Sequence, residues 1–200
     1  GMGNILRGNN TSGMPRCLEG ARYYAQWAGA PYHVYGGRKG ANDYADDINT
    51  RSLMTNWLGG GSPYMPALQG KKVPIELSLA VHSDAGYNKD GKTTWGSLAI
   101  CTTNFNDGML NSGISRMTSK DLAKALLKNL VSDLRQQYGE FSERYLWDRN
   151  YSETRNPEIP SAILETLSHQ NFPDMAYAQD PNFKFTLARS IYKAILKYTA

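Results

Sequence analysis

The alternation of strand-like and helix-like segments constrains the fold of this chain most. The segment "PIELSLAVH" at 74–82 alternates apolar and polar residues, which predicts a buried strand with His82 on its polar side. Two segments rich in apolar and β-branched residues, "WGSLAICTT" at 95–103 and "PSAILETL" at 160–167, predict two more strands. Helical patterns separate and flank these strands. The chain is therefore predicted to adopt an α/β fold, with a mostly parallel twisted sheet and helices on both faces.

The predicted helices carry recognisable start and stop signals. After Thr118 and Ser119 the sequence has a leucine every four residues, which indicates an amphipathic helix that Gly139 ends, and the leucines are Leu122, Leu126, Leu130 and Leu134. Asn42 or Asp43 can cap a second helix, which the glycines at 59–61 close. Further helices are predicted at 18–28 and 182–199. A short strand is predicted for "YHVY" at 32–35.

Length and charge limit the possible classes of protein. With 200 residues, 40% of them hydrophobic, the chain is expected to form one globular domain over 1–200. The net charge of +4 is spread along the chain, which argues against nucleic acid as a partner. No apolar run approaches the roughly 20 residues that span a bilayer. Cys17 and Cys101 are either two buried thiols or one disulfide.

Several common catalytic motifs are missing from the sequence. It contains no P-loop, no G-x-G-x-x-G after a strand, no G-x-S-x-G elbow and no C-x-x-C. These absences argue against nucleotide-dependent enzymes and serine hydrolases.

Two of the predicted strands close on side chains that can do chemistry. His82 ends the first strand, and Glu165 lies near the end of the strand at 160–167. In open α/β sheets, ligands bind beyond the carboxyl ends of the strands. If these two strands are neighbours and parallel, an imidazole and a carboxylate border one pocket. The alternatives are a histidine that bonds to a loop, and a carboxylate that pairs with backbone amides or with Arg155.

The segments "LSLAVHSDAGY" and "PSAILETLSHQNFPDM" resemble signatures of the zinc-dependent N-acetylmuramoyl-L-alanine amidases, which are cell-wall hydrolases. Within that family they are most similar to the amidase-like domain of long secreted proteins often labelled xanthan lyase. In its spacing the likeness extends from about Gly13 to the C-terminus. The resemblance implies an amidase-like fold, peptidoglycan or another cell-wall glycan as the partner, and a location in the cell envelope or outside the cell.

The resemblance also implies roles for individual residues. His82 would be a zinc ligand and Glu165 the catalytic carboxylate, and together they would hydrolyse the amide between N-acetylmuramic acid and L-alanine. A catalytic zinc takes three protein ligands and one water, whose pKa it lowers. A free carboxylate beside the metal takes the proton of that water and returns it to the leaving amine.

The sequence departs from the family pattern in its first part. It has no early strand that ends in a histidine, and Glu19 is the candidate for the carboxylate ligand. On a second alignment the chain is only the later part of the family domain and its metal site is incomplete. Whether the chain is an enzyme stays open here. The alternative is an inactive or truncated module that binds a glycan or another domain of a longer parent protein. The xanthan lyase label would instead mean β-elimination from a uronic acid.

Four further residues are candidates for substrate binding. Ser83 and Asp84 follow His82 directly, and His169 follows Glu165 by four residues, so it either lines the same pocket or makes a structural hydrogen bond. Arg155 precedes the Glu165 strand. It would bind a substrate carboxylate, or pair with one of the glutamates near it, Glu153 or Glu158.

Overall fold

The computed structural model describes residues 20–200, and these residues form a layered α/β structure. Seven α-helices and four β-strands are present in this range. In chain order they are α1 (Ala21–Trp27), α2 (Tyr32–Tyr35), α3 (Asp43–Gly59), β1 (Ser78–Asp84), β2 (Ser97–Cys101), α4 (Met117–Tyr138), β3 (Glu143–Asp148), α5 (Ser152–Arg155), β4 (Ser161–Ser168), α6 (Phe172–Gln179) and α7 (Pro181–Thr199). A short 3₁₀ turn at Asn106–Gly108 precedes α4.

The four strands form one sheet in the order β1-β4-β2-β3. The outer pairs β1–β4 and β2–β3 are parallel, and the central pair β2–β4 is antiparallel. The prediction of an α/β fold with a mostly parallel sheet is confirmed, although the central pair makes the sheet mixed. The strands that carry His82 and Glu165 are parallel neighbours, which meets the condition for a shared pocket, and the two residues lie opposite each other in the register of β1 and β4.

Three local predictions were wrong. The residues predicted as the strand "YHVY" form helix α2, because four residues are too few for their periodicity to separate strand from helix. Strand β3 was not predicted, since its sequence "ERYLWD" mixes charged and apolar residues. Strand β1 begins at Ser78 and lies at an edge of the sheet, so it is not buried as expected, and Val81 is 55% exposed.

Helices α4 and α7 pack together over one face of the sheet and form the main core. The four leucines that recur along α4 are fully buried, as their spacing predicts. Phe183 and Ala194 of α7 are buried in the same cluster. The core therefore lies between this helical layer and the sheet.

The opposite face of the sheet carries the smaller apolar cluster of Leu98, Ile100 and Ile163. Helix α5 contacts the strands on this side and is itself packed against α3. Asn56 of α3 holds the segment after α5 through its amide, which donates to the Asn156 carbonyl at 2.7 Å and accepts from the Glu158 amide at 3.0 Å. Helix α3 begins where the sequence predicts, since the Asn42 side chain accepts a hydrogen bond from the Ala45 amide.

Cys101 is a free, fully buried thiol at the end of β2. Burial is the main reason that its pKa is raised to about 11. Cys17 lies outside the described residues, as do the first residues of the helix predicted at 18–28. Across residues 20–200 no helix combines the length and the apolar character needed to cross a bilayer.

A buried carboxylate connects the strand ends at the rim of the sheet. Asp174 of α6 is fully buried and accepts hydrogen bonds from the backbone amides of Trp95, Gly96 and Ser168 at 2.8, 3.1 and 2.8 Å. The side-chain amide of Asn171 donates a fourth at 3.0 Å. Asp174 thus fixes the start of β2, the end of β4 and α6 relative to one another.

We expect Asp174→Asn to lower the free energy of unfolding by about 3 kcal/mol, because its amide nitrogen would face backbone N–H donors and leave them unpaired. Urea denaturation of the variant and of the wild type measures the change. Asp121→Asn, at an exposed position of α4, serves as the matched control. A loss no larger than that of the control would show that the Asp174 hydrogen bonds contribute little.

Candidate active site

His82 and Glu165 line one small cavity on the open face of the sheet. Neither residue ends its strand as predicted, because β1 continues to Asp84 and β4 to Ser168. The cavity has a volume of about 150 Å³. Its floor is the apolar cluster of the open sheet face, and polar and aromatic side chains complete its wall. The other lining residues are Asp84, Leu98, Ile100, Trp147, Tyr151, Glu153 and Ile163.

Glu165 has the environment of a proton-transferring carboxyl group. Its Oε2 atom is buried and has no hydrogen-bond partner among the described residues. Burial raises the pKa of Glu165, and the positive charge of His82 offsets part of that rise. The negative charge of Asp84 adds to it. A carboxyl group with an unsatisfied oxygen and a raised pKa is suited to general acid–base catalysis.

His82 forms an ion pair with a glutamate that lies far from it in sequence. Its Nε2 atom lies 2.9 Å from Oε2 of Glu153. The hydrogen bond to Glu153 is the main reason that the pKa of His82 is raised, and partial burial works in the opposite direction. The imidazole is therefore held toward its protonated, positively charged form.

Glu153 belongs to α5 and links the cavity to α3. Burial of Glu153 favours a higher pKa, but the hydrogen bonds and charges of His82 and Arg51 together outweigh it, so the pKa of Glu153 is lowered. Its other oxygen lies 3.7 Å from Nη1 of Arg51, and Arg51 in turn lies 3.4 Å from Asp47. The sequence suggested Glu153 only as a partner of Arg155. Its contact with His82 depends on the position of α5, which no local pattern reveals.

Asp84 is the third predicted site residue that lines the cavity, after His82 and Glu165. Arg144 of β3 donates to its carboxylate, and the Arg144 guanidinium lies 4.8 Å from the centre of the Trp95 ring. Ser83 and His169 do not line the cavity. They bond to each other, with 3.2 Å between the Ser83 hydroxyl and Nδ1 of His169.

Arg155 also lies outside the cavity wall. Its guanidinium donates to the side-chain oxygens of Asn150 and Asn156, at 2.6 and 3.1 Å. Neither of the expected pairings is formed. Glu153 binds His82 and Arg51, and Glu158 lies 3.4 Å from the buried Arg116.

Comparison with known proteins agrees with this geometry. A family model described as N-acetylmuramoyl-L-alanine amidase matches residues 64–197, which include both His82 and Glu165. The chain belongs to this amidase family. The match begins after α3, so the first three helices lie before it. No curated protein sequence matches the chain at a significant level.

Solved structures of amidases share the fold. An N-acetylmuramoyl-L-alanine amidase from Clostridium difficile 630 aligns with a TM-score of 0.54 at 16% identity, over 83% of this chain and 77% of its own. The CwlD amidase from Clostridioides difficile, in complex with the GerS lipoprotein, aligns with a TM-score of 0.54 at 16% identity. This alignment covers 78% of this chain and 64% of the CwlD chain. An amidase from Mycobacterium smegmatis aligns with a TM-score of 0.52 at 18% identity, over 76% of this chain and 60% of its own. At these identities the likeness establishes the fold.

The zinc site that the family resemblance implies does not fit the side chains found here. Within residues 20–200, no group of three His, Cys, Asp or Glu side chains is placed to hold a metal ion. His82 is the one imidazole in the cavity, and its Nε2 atom faces Glu153. Glu19, the other predicted ligand, lies outside the described residues. A catalytic zinc needs three protein ligands, and the described part of this amidase does not supply them.

We expect Glu153→Gln to lower the pKa of His82, because the variant removes the charged acceptor that stabilises the imidazolium. An NMR titration of the histidine ring signals measures this change. The signals of His33 and His169, which are not part of the ion pair, serve as internal controls. A His82 titration unchanged by the substitution would contradict the ion pair.

We expect Glu165→Gln to stabilise the protein increasingly as the pH rises. A carboxyl group whose pKa is raised by folding binds its proton more tightly in the folded state, so wild-type stability falls as the pH rises through the folded pKa. Glutamine does not titrate. The gain should reach about 1 kcal/mol, the usual cost of a buried group without a hydrogen-bond partner.

Urea denaturation of the wild type and Glu165→Gln between about pH 4 and about pH 8 tests this expectation. Glu140→Gln, at an exposed position, is the matched control. A difference between Glu165→Gln and wild type that is constant across this range would show that the carboxyl group titrates alike in the folded and unfolded states.

Proposed function

We propose that this chain is a peptidoglycan amidase that hydrolyses the amide between N-acetylmuramic acid and L-alanine, with Glu165 as the group that transfers protons. One observation carries the proposal. In a chain of the amidase family, His82 lies opposite Glu165 in the register of β1 and β4, and both side chains line a single cavity on the open face of the sheet. The sequence match thus coincides with a site of suitable chemistry.

The unpaired oxygen of Glu165 determines the proposed mechanism. As a carboxylate, Glu165 takes a proton from a water molecule, and the water oxygen forms a bond to the carbonyl carbon of the amide. Glu165 then donates that proton to the amide nitrogen as the C–N bond breaks. The products are the lactyl carboxylate and a peptide with a free L-alanine amine. A pKa raised by burial suits a group that must both accept and donate a proton.

His82 and Glu153 would set the charge around this reaction. The ion pair with Glu153 favours the imidazolium form of His82, and this positive charge borders the cavity that Glu165 enters. A fixed positive charge in a partly dry site stabilises the negative charge that develops on the attacked carbonyl oxygen. Arg51 would act through Glu153 by holding its second oxygen.

The proposal extends to the setting of the protein. Its substrate would be the peptidoglycan of the cell wall. The protein would act in the cell envelope or outside the cell. Residues 1–200 would form one amidase-like domain. Zinc, which the resemblance implies, enters no step of this mechanism because the described side chains do not form a three-ligand site. The β-elimination that the xanthan lyase label implies stays an untested expectation.

A second candidate function is a glycan-binding module without catalysis. The observation that favours it is the position of Glu153, which occupies the Nε2 atom of His82 in place of the metal that the resemblance implies. Under this hypothesis the cavity would still accept a cell-wall ligand, and the amide would remain intact.

Incubation of the purified chain with soluble muropeptides distinguishes the two functions. We expect the wild type to release peptides with an N-terminal L-alanine, detected by mass spectrometry. Glu165→Gln should lower the rate at least about 100-fold, the usual contribution of a general acid–base group. Glu140→Gln should keep the wild-type rate.

Two results would contradict the amidase. They are a wild type that binds muropeptides without releasing these peptides, and a Glu165→Gln variant with full activity. Metal analysis of the same samples adds a separate result. One zinc per chain that is lost in His82→Ala would show that a metal site forms with the help of residues outside 20–200.

A further inference from the structure

A row of aromatic rings runs from the edge of the sheet to the mouth of the cavity. Tyr145 and Trp147 of β3 have ring centres 5.7 Å apart, and Trp147 and Tyr151 have centres 6.2 Å apart. Trp147 and Tyr151 line the cavity that holds His82 and Glu165. The row therefore begins inside the candidate active site and continues beyond it along β3.

The outer rings of this row face solvent. Tyr145 is 46% exposed and Tyr151 is 45% exposed, whereas Trp147 is half-buried against the apolar cluster of the sheet. Strand β3 is an edge strand of the sheet, and within residues 20–200 no further strand pairs with it on this side. Packing accounts for Trp147. It does not account for two exposed tyrosines beside a catalytic cavity.

An unpaired cation lies next to the row. The Arg149 guanidinium is 4.8 Å from the centre of the Trp147 ring, and it forms no ion pair with any residue of the range 20–200. The backbone of Arg149 is held by two hydrogen bonds. Its amide donates to the Cys101 carbonyl at 2.8 Å, and its carbonyl accepts from the Thr102 hydroxyl at 2.6 Å. Arg144, in contrast, is paired with the carboxylate of Asp84.

We propose that Tyr145, Trp147 and Tyr151 form a sugar-stacking subsite for the glycan strand of peptidoglycan, and that Arg149 binds a carboxylate of the attached stem peptide. The proposal deepens the proposed function, because it rests on the same substrate and the same cavity. It assigns binding of the non-reacting parts of that substrate to residues that take no part in proton transfer.

Peptidoglycan has two chemical features that suit these residues, apolar sugar faces for the aromatic rings and carboxylates for Arg149. The C–H faces of a pyranose ring are apolar, and they pack on aromatic rings that can keep a polar group in water, as tyrosine does. The stem peptide carries free carboxylates, and an arginine that is weakly hydrated and stacked on a ring binds a carboxylate through two hydrogen bonds. A neutral glycan would use the rings alone.

Isothermal titration calorimetry in a Glu165→Gln background tests the subsite without interference from hydrolysis. The two probes are a soluble disaccharide-peptide muropeptide and an N-acetylglucosamine tetrasaccharide, which has no carboxylate. We expect Tyr145→Ala and Tyr151→Ala each to weaken binding of both probes about tenfold. Arg149→Gln should weaken the muropeptide about tenfold and leave the tetrasaccharide unchanged.

Matched variants on α7 control for the loss of an exposed ring or charge. Tyr192→Ala, at a tyrosine that is 63% exposed, and Arg189→Gln should keep the affinity for both probes. Tyr151→Phe keeps the ring and should keep the affinity, which separates stacking from damage to the fold. Tyrosine variants that bind as tightly as the α7 controls, or a parent protein that binds neither probe, would overturn the subsite.

The outcomes separate this inference from the proposed function. A wild type that releases no peptides from muropeptides, combined with binding that depends on Tyr145 and Tyr151, would refute the amidase and support the subsite. If the wild type releases peptides and the Tyr145 and Tyr151 variants keep their affinity for the probes, the subsite is refuted and the amidase is supported.

Discussion

The arrangement of the candidate site depends on the buried carboxylate of Asp174. Its two oxygens accept from Trp95, Gly96, Ser168 and Asn171, so one side chain from α6 joins the start of β2 to the end of β4. A buried carboxyl group is costly unless its oxygens are hydrogen-bonded, and here three backbone N–H groups and the side-chain amide of Asn171 donate to them. Gly96 is required at this junction, because its φ is +82° and a Cβ atom would lie 1.9 Å from the Ser142 carbonyl oxygen.

With the strand ends held, the chemistry follows from a row of alternating charges. Asp47, Arg51, Glu153 and His82 succeed one another from α3 to the cavity, and Glu165 stands opposite the histidine. The α3 helix lies before the segment that matches the amidase family, yet it supplies the arginine that holds Glu153. The site is therefore supported jointly by the family segment and by helix α3, which precedes it.

The sequence indicated a common location for His82 and Glu165 and predicted the core, because both depend on periodic patterns. Alternation in β1 and the apolar run of β4 located His82 and Glu165, and the recurring leucines of α4 located the main core. Sequence periodicity did not predict the contact between Glu153 and His82, the antiparallel pairing of β2 with β4, or strand β3. The first two are properties of three-dimensional packing between distant segments, and the edge strand β3 has no strict alternation to detect.

The free thiol of Cys101 gives the core a property of practical use. With a pKa of about 11 and no exposed surface, it is almost entirely uncharged at neutral pH and closed to reagents. Alkylation or oxidation at this sulfur must wait until the sheet separates from α4. The rate at which Cys101 is modified therefore measures how often the protein opens transiently.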